Sequence, residues 1–128
     1  MHQYKLMVIL VTILIPLQAI ACPGSPANVA NECLAEQLKN GELALKKQIN
    51  YMQLGEPVND PSETKHANDL LNKSQKSWLA YSKANCEYTG FIEGGVASYK
   101  YVRNMQCMVA LTQARIVELK LLGNSYNH

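Results

Sequence analysis

Net charge is the first thing this chain has little of: 12 Lys and Arg stand against 10 Asp and Glu, a formal balance of +2. A nucleic-acid-binding domain shows a basic stripe and a membrane-surface protein a polybasic patch; neither is present, so neither partner is expected. Histidine is scarce as well. Of the 3 in the chain, His2 and His128 sit near the ends, leaving His66 without a second His or Cys at ligand spacing. It reads as a solvated surface residue, and no metal or other cofactor is expected. Catalytic sets are missing too. Ser74, Ser77 and Ser82 have no suitable His and Asp arrangement around them and read as ordinary helix-surface residues. Glu87 and Glu93 are the pair that glycosidase chemistry would use, but nothing in the sequence buries either one, and they read as charged loop residues. The chain is therefore expected not to be an enzyme. Strict alternation of apolar and polar residues occurs nowhere, which excludes half-buried strands, and there is no internal repeat.

Long apolar runs are confined to the start. His2 and Lys5 precede an almost unbroken apolar stretch from Leu6 to Leu17, and Ala19-Ile20-Ala21 places small residues where a signal peptidase reads them. Residues 1–21 are thus expected to be a signal peptide. The run is about a dozen residues, too short to span a bilayer as a helix, and nothing downstream is more apolar. Cleavage would leave Cys22 first, so a lipid anchor on Cys22 competes with a disulfide there. What remains, about 107 residues, suffices for one core. With Lys5 removed it keeps 11 basic side chains against 10 acidic ones. All 4 cysteines, Cys22, Cys33, Cys86 and Cys107, lie downstream of the export signal, which implies an oxidising compartment and two bridges.

Three segments carry helical periodicity. Pro, Gly, Ser and Asn fill Cys22 to Ala30, an irregular entry leading to a helix start near Asn28 or Asn31. Leu34, Leu38, Leu45, Ile49 and Met52 then form one stripe, with Gly41 a weak spot inside it. Gly55, Pro57 and Pro61 break the chain, and Ser62 is placed to cap the next helix. The second helix puts Ala67, Leu70, Leu71, Ser74, Trp78, Tyr81 and Asn85 at three-and-four spacing, which predicts Trp78 and Tyr81 in the core. Gly90 and Gly94-Gly95 bracket the next break. A third helix carries Val102, Met105, Val109, Thr112, Ile116, Leu119 and Leu122 before Gly123 stops it, leaving 123–128 as a frayed tail. The expectation is an all-α, up-down-up three-helix bundle over residues 22–122, stapled by two disulfides.

Helical rise tests which cysteines can meet. A hairpin turning at Gly90 would leave Cys86 and Cys107 about 20 Å out of step. Turning at Gly94-Gly95 reduces the offset to a few residues, within reach of the ~5.5 Å Cα separation that a disulfide needs. The reversal is therefore placed at the glycine pair, with Cys86 bridged to Cys107. Cys22 and Cys33 remain to tie the entry segment to the first helix.

Leu70-Leu71, Gln75, Trp78, Tyr81 and Cys86, then Gly94-Gly95, Cys107, Leu111-Thr112, Arg115 and Leu119, form an ordered set that resembles the LprI-type lysozyme-inhibitor family. The spacing of Cys22 and Cys33 is similar to that family's amino-terminal cysteine pair. The resemblance implies a helical, disulfide-containing periplasmic or secreted domain that binds a protein, with lysozyme inhibition attributed to the namesake. Departures exist. Ser82-Lys83 stands where the family commonly has Arg-Asp, and Leu43-Ala44 and Lys47 stand in place of its Leu-Asn and Tyr. Functions resting on those polar groups are not carried over.

Recognition is expected at the connection from Glu87 to Ser98, which combines Glu87, Tyr88, Phe91, Ile92 and Glu93 with Gly94 and Gly95. Phe91 is the only Phe of the chain, and an aromatic on a crosslinked loop loses little entropy when it docks. The competing expectation is that Phe91 and Ile92 fold back onto the end of the bundle. Arg115 lies three residues after Thr112 on one helical face, as a structural contact or as a partner-binding group. Two functions fit such a scaffold besides occlusion of a lysozyme or another extracytoplasmic enzyme. One is immunity-type neutralisation of a different toxin, and the other is a structural role in envelope assembly.

Overall fold

The computed structural model describes residues 22–53 and 60–125. The expected signal peptide, 1–21, lies outside the described residues, as do most of the break between the first two helices and residues 126–128. Three helices succeed one another, α1 (Ala27–Gln53), α2 (Pro61–Glu93) and α3 (Ala97–Ser125), with no strand among the described residues. None of these helices is long and apolar enough to cross a membrane.

Each helix end has a local cause. The irregular entry of α1, whose Ser25–Pro26 peptide is cis, is pinned by the Cys22–Cys33 disulfide and by Tyr99 Oη donating to Ser25 Oγ at 3.2 Å. Asp60, rather than Ser62, caps α2: its backbone is extended and its carboxylate accepts from the Ser62 amide at 2.8 Å and the Ser62 hydroxyl at 2.9 Å. Pro61 fits the first helical position, which makes the residue before it the cap. Those two bonds hold the Asp60 carboxyl below its ordinary value of 3.8. α2 then runs on through Gly90 to Glu93, where the sequence pattern suggested a break. The Gly94 amide donates to the Gly90 carbonyl at 3.0 Å, and Gly95 makes the reversal with φ at +68°, a conformation that favours glycine. The turn thus falls at the glycine pair, as the cysteine spacing required. At the far end α3 continues through Gly123 to Ser125. Gly123 does not adopt positive φ, and one glycine lowers helix stability by only about 1 kcal/mol.

α3 is the central element. α1 runs parallel to it: Ser25 meets Tyr99 near one end and Gly41 meets Thr112 further along. α2 runs antiparallel to it, with Cys86 bonded to Cys107 and Ser74 to Arg115. The α1–α3 seam is an apolar core of Ala30, Leu34, Val102, Met105 and Val109, with Leu38 and Tyr99 against it. Gly41 is a contact point, since a Cβ there would stand 3.2 Å from Thr112 Cγ2.

The α2–α3 seam differs in kind. The buried residues of α2 are Ser82, Cys86 and Gly90, none of them a large hydrophobe. Ser82, expected at the surface, is fully buried with its hydroxyl donating to the Leu79 carbonyl at 3.0 Å. Tyr81 and Leu70, expected inside, are exposed, and Trp78 is half-buried. The true inward face of α2 is rotated relative to its apolar stripe, because small side chains and the disulfide determine which side can approach α3.

Candidate functional site

The connection expected to be a loop is the last two turns of α2, a three-residue turn and the first turn of α3. Glu87, Tyr88, Phe91, Ile92 and Glu93 are therefore presented on a helix, and the alternative in which Phe91 and Ile92 fold back is ruled out: they stand 67 % and 56 % exposed. Tyr88, Val96 and Tyr101 are also more than half exposed. Beneath them the Cys86–Cys107 disulfide, with Cα atoms 5.4 Å apart, fixes the helices to each other. Close approach above that bond needs glycine. A Cβ on Gly90 would lie 2.6 Å from the Lys100 carbonyl oxygen, and one on Gly94 would strike the Lys100 backbone.

Between the helix ends is a shallow cavity of about 240 Å³ lined by Glu87, Phe91, Lys100, Tyr101 and Asn104. The Lys100 ammonium lies over the Phe91 ring, 4.0 Å from its centroid, an attraction of roughly 0.5–1 kcal/mol at an exposed site. The α2 side thus contributes a carboxylate and an aromatic ring, and the α3 side an ammonium and a second ring.

Arg115 is not part of this end. Its side chain is 6 % exposed, and the guanidinium donates to Gln75 Oε1 at 3.2 Å, Ser74 Oγ at 2.8 Å and Glu118 Oε2 at 2.8 Å. Ser74 lies roughly 25 Å along α2 from Phe91 at the helical rise. The structure therefore brings Glu87 to Gly95 together and holds Arg115 elsewhere, in the role of a structural contact. Three residues that line the cleft, Lys100, Tyr101 and Asn104, are not singled out by the sequence pattern. Their signal is the spacing of Lys100, Asn104 and Cys107 along α3, which is hidden because the apolar stripe of that helix begins only at Val102.

Comparison with known families matches residues 22–119 to the model described as Lysozyme inhibitor LprI. Comparison with curated proteins and with solved structures gives no match. The family model spans both disulfides, all of α1 and α2 and most of α3, and on that span the chain belongs to the LprI lysozyme-inhibitor family.

Proposed function

We propose that this chain is an exported binding protein, periplasmic or secreted, that inhibits a lysozyme-type enzyme by covering it and performs no chemistry itself. The observation that carries the reading is the cluster Tyr88, Phe91 and Ile92, exposed on a helix end anchored by a disulfide, in a chain of an inhibitor family. An exposed aromatic on a rigid support forms contacts without a large ordering cost. Two disulfides favour an oxidising compartment, and the Cys22 sulfur, bonded to Cys33, is not free to carry a lipid. On this reading Glu87, Tyr88, Phe91, Ile92, Glu93 and the Gly94-Gly95 turn form the docking surface.

One observation favours a second reading, neutralisation of a different extracytoplasmic toxin. With residues 1–21 removed, 11 basic against 10 acidic side chains give no long-range steering towards a strongly basic lysozyme, so within the proposed docking surface only Glu87 and Glu93 would attract one locally. A lysozyme assay with the oxidised protein decides between them. Dose-dependent inhibition is expected, with Phe91→Ala/Ile92→Ala abolishing it at unchanged melting temperature. No inhibition by excess protein would leave the second reading, and full inhibition by the double variant would move the docking surface elsewhere.

A further inference from the structure

Only part of the apolar surface of α2 is covered: Leu71 and Trp78 are half-buried, and other large apolar residues of the helix are exposed. Towards α3 it turns Gln75, Ser82, Cys86 and Gly90, all buried or half-buried, while Leu70, Tyr81, Tyr88 and Phe91 stand 52 %, 59 %, 64 % and 67 % exposed. With Ser74, whose hydroxyl accepts from Arg115 of α3, and with Ser77 and Ala84, all three exposed, these residues recur at steps of four and three: Leu70, Ser74, Ser77, Tyr81, Ala84, Tyr88, Phe91. A four-three repeat kept over about three heptads has the spacing of a coiled-coil seam, here with serine at two of the seven positions. No seam position is charged; Lys73, Lys76, Lys83 and Glu87 all fall between them. α1 does not cover the seam, since it reaches α2 from the other flank, where Gln53 Nε2 donates to Asn72 Oδ1 at 2.7 Å.

We propose that a second copy of the chain occupies this seam, the two α2 helices pairing antiparallel about a two-fold axis. The sizes of the side chains select the direction. Setting Tyr81 opposite Ser77 of the second copy also sets Ala84 opposite Ser74, Tyr88 opposite Leu70 and Phe91 opposite Ala67. Large residues thus meet small ones at two of these four levels, Tyr81 on Ser77 and Phe91 on Ala67, while no residue meets its own copy. Parallel pairing would instead stack Tyr on Tyr and leave Ser against Ser.

Charge selects the same register. On the flank of the antiparallel pair, Glu87 lies opposite Lys73 of the second copy, and symmetry makes the pair twice. At roughly 150–250 Å² for a whole aromatic side chain, the exposed parts of the seam sum to several hundred Å² per copy. That is the order of the ~800 Å² each partner gives to a standard interface. Tyr88 and Phe91 belong both to this seam and to the proposed docking end. If that docking surface holds, the monomer is the form that captures a target; the pairing itself does not rest on it.

Sedimentation of the oxidised protein over a concentration series tests the pairing without any lysozyme present, so its outcome is separate from that of the inhibition assay. A reversible dimer is expected. Tyr81→Glu should render it monomeric with its helix content unchanged, and should remove any rise of melting temperature with concentration. Glu87→Lys should weaken it about tenfold or more, and adding Lys73→Glu should restore it. A monomer at every concentration overturns the proposal, as does a dimer indifferent to Tyr81→Glu or to the charge exchange. Were a strictly monomeric protein to lose lysozyme inhibition through Tyr81→Glu, the seam would belong to the target enzyme instead.

Discussion

Arg115 shows how much of this fold rests on single polar side chains. A guanidinium is an always-charged fork of donors, and burying one is tolerable only when its donors are matched. Here Ser74 and Gln75 of α2 and Glu118 of α3 supply the acceptors. The Glu118 side chain is 56 % exposed, so solvent screens that ion pair and it contributes little by itself. The bonds to α2 matter more, because they tie α2 to α3 at a level remote from the disulfide. Arg115→Met retains the apolar stem and removes every donor; a loss of about 2 kcal/mol is expected, read by urea unfolding. Arg115→Lys should recover little, since one ammonium cannot serve three separated acceptors. Native stability in Arg115→Met would show the clamp to be idle. The face shared by Thr112 and Arg115 was legible from their spacing. The acceptors that Arg115 finds on α2 lie some 40 residues away in the chain, and no local pattern announces them.

Hydropathy reveals a buried helix face only when large apolar residues form it. Leu34 and Leu45 on α1, with Val102, Met105, Val109 and Leu119 on α3, are buried where three-and-four spacing put them. α2 obeys a different rule. Its fully buried residues are Ser82, Cys86 and Gly90, all small, so the spacing that drew Leu70 and Tyr81 inward traced an exposed flank. Glycine misled in the same way: Gly90 suggested a break but is a point of close packing. Residues Glu87 to Gly95 stood out by composition, as aromatics and acids beside a glycine pair, yet their helical setting did not. The packing role of Gly90 can be measured. In an exposed helix, alanine would be about 1 kcal/mol better than glycine. At Gly90 the new Cβ would meet the Lys100 carbonyl at 2.6 Å and Asn104 Cβ at 3.0 Å, and the backbone there, held by the nearby disulfide, has little room to retreat. Gly90→Ala is therefore expected to destabilise by about 1–3 kcal/mol. Gly41→Ala, facing only the Thr112 methyl at 3.2 Å, should fall near neutral. Equal melting shifts for the two would contradict the close-approach account.

Taken whole, the molecule is a central helix with two neighbours attached by different means. α1 is held to α3 by an apolar core, while α2 is held by a disulfide, a buried arginine and small-residue contacts. This asymmetry makes the two bridges unequal. Cys22–Cys33 spans a sequence separation of 11 and Cys86–Cys107 one of 21, and the chain-entropy model gives each about 3 kcal/mol, nearly the same. The difference must come from what the folded state keeps. Without Cys22–Cys33 the entry segment loosens, but Leu34, Val102, Met105 and Val109 still hold α1 to α3. Without Cys86–Cys107 α2 has no fully buried large hydrophobe to retain it, only the half-buried Leu71 and Trp78, and the hairpin end that presents Phe91 loses its anchor. Paired alanine variants separate the cases. Cys86→Ala/Cys107→Ala should lower the melting temperature more than Cys22→Ala/Cys33→Ala does, and hydrogen exchange should show protection lost along α2 while α1 and the amino-terminal half of α3 retain it. In the other variant the lost protection should stop within the first turns of α1. Uniform loss across all three helices in both variants would mean that the seams are equivalent, and oxidised and reduced protein melting at one temperature would mean that neither bridge carries the fold.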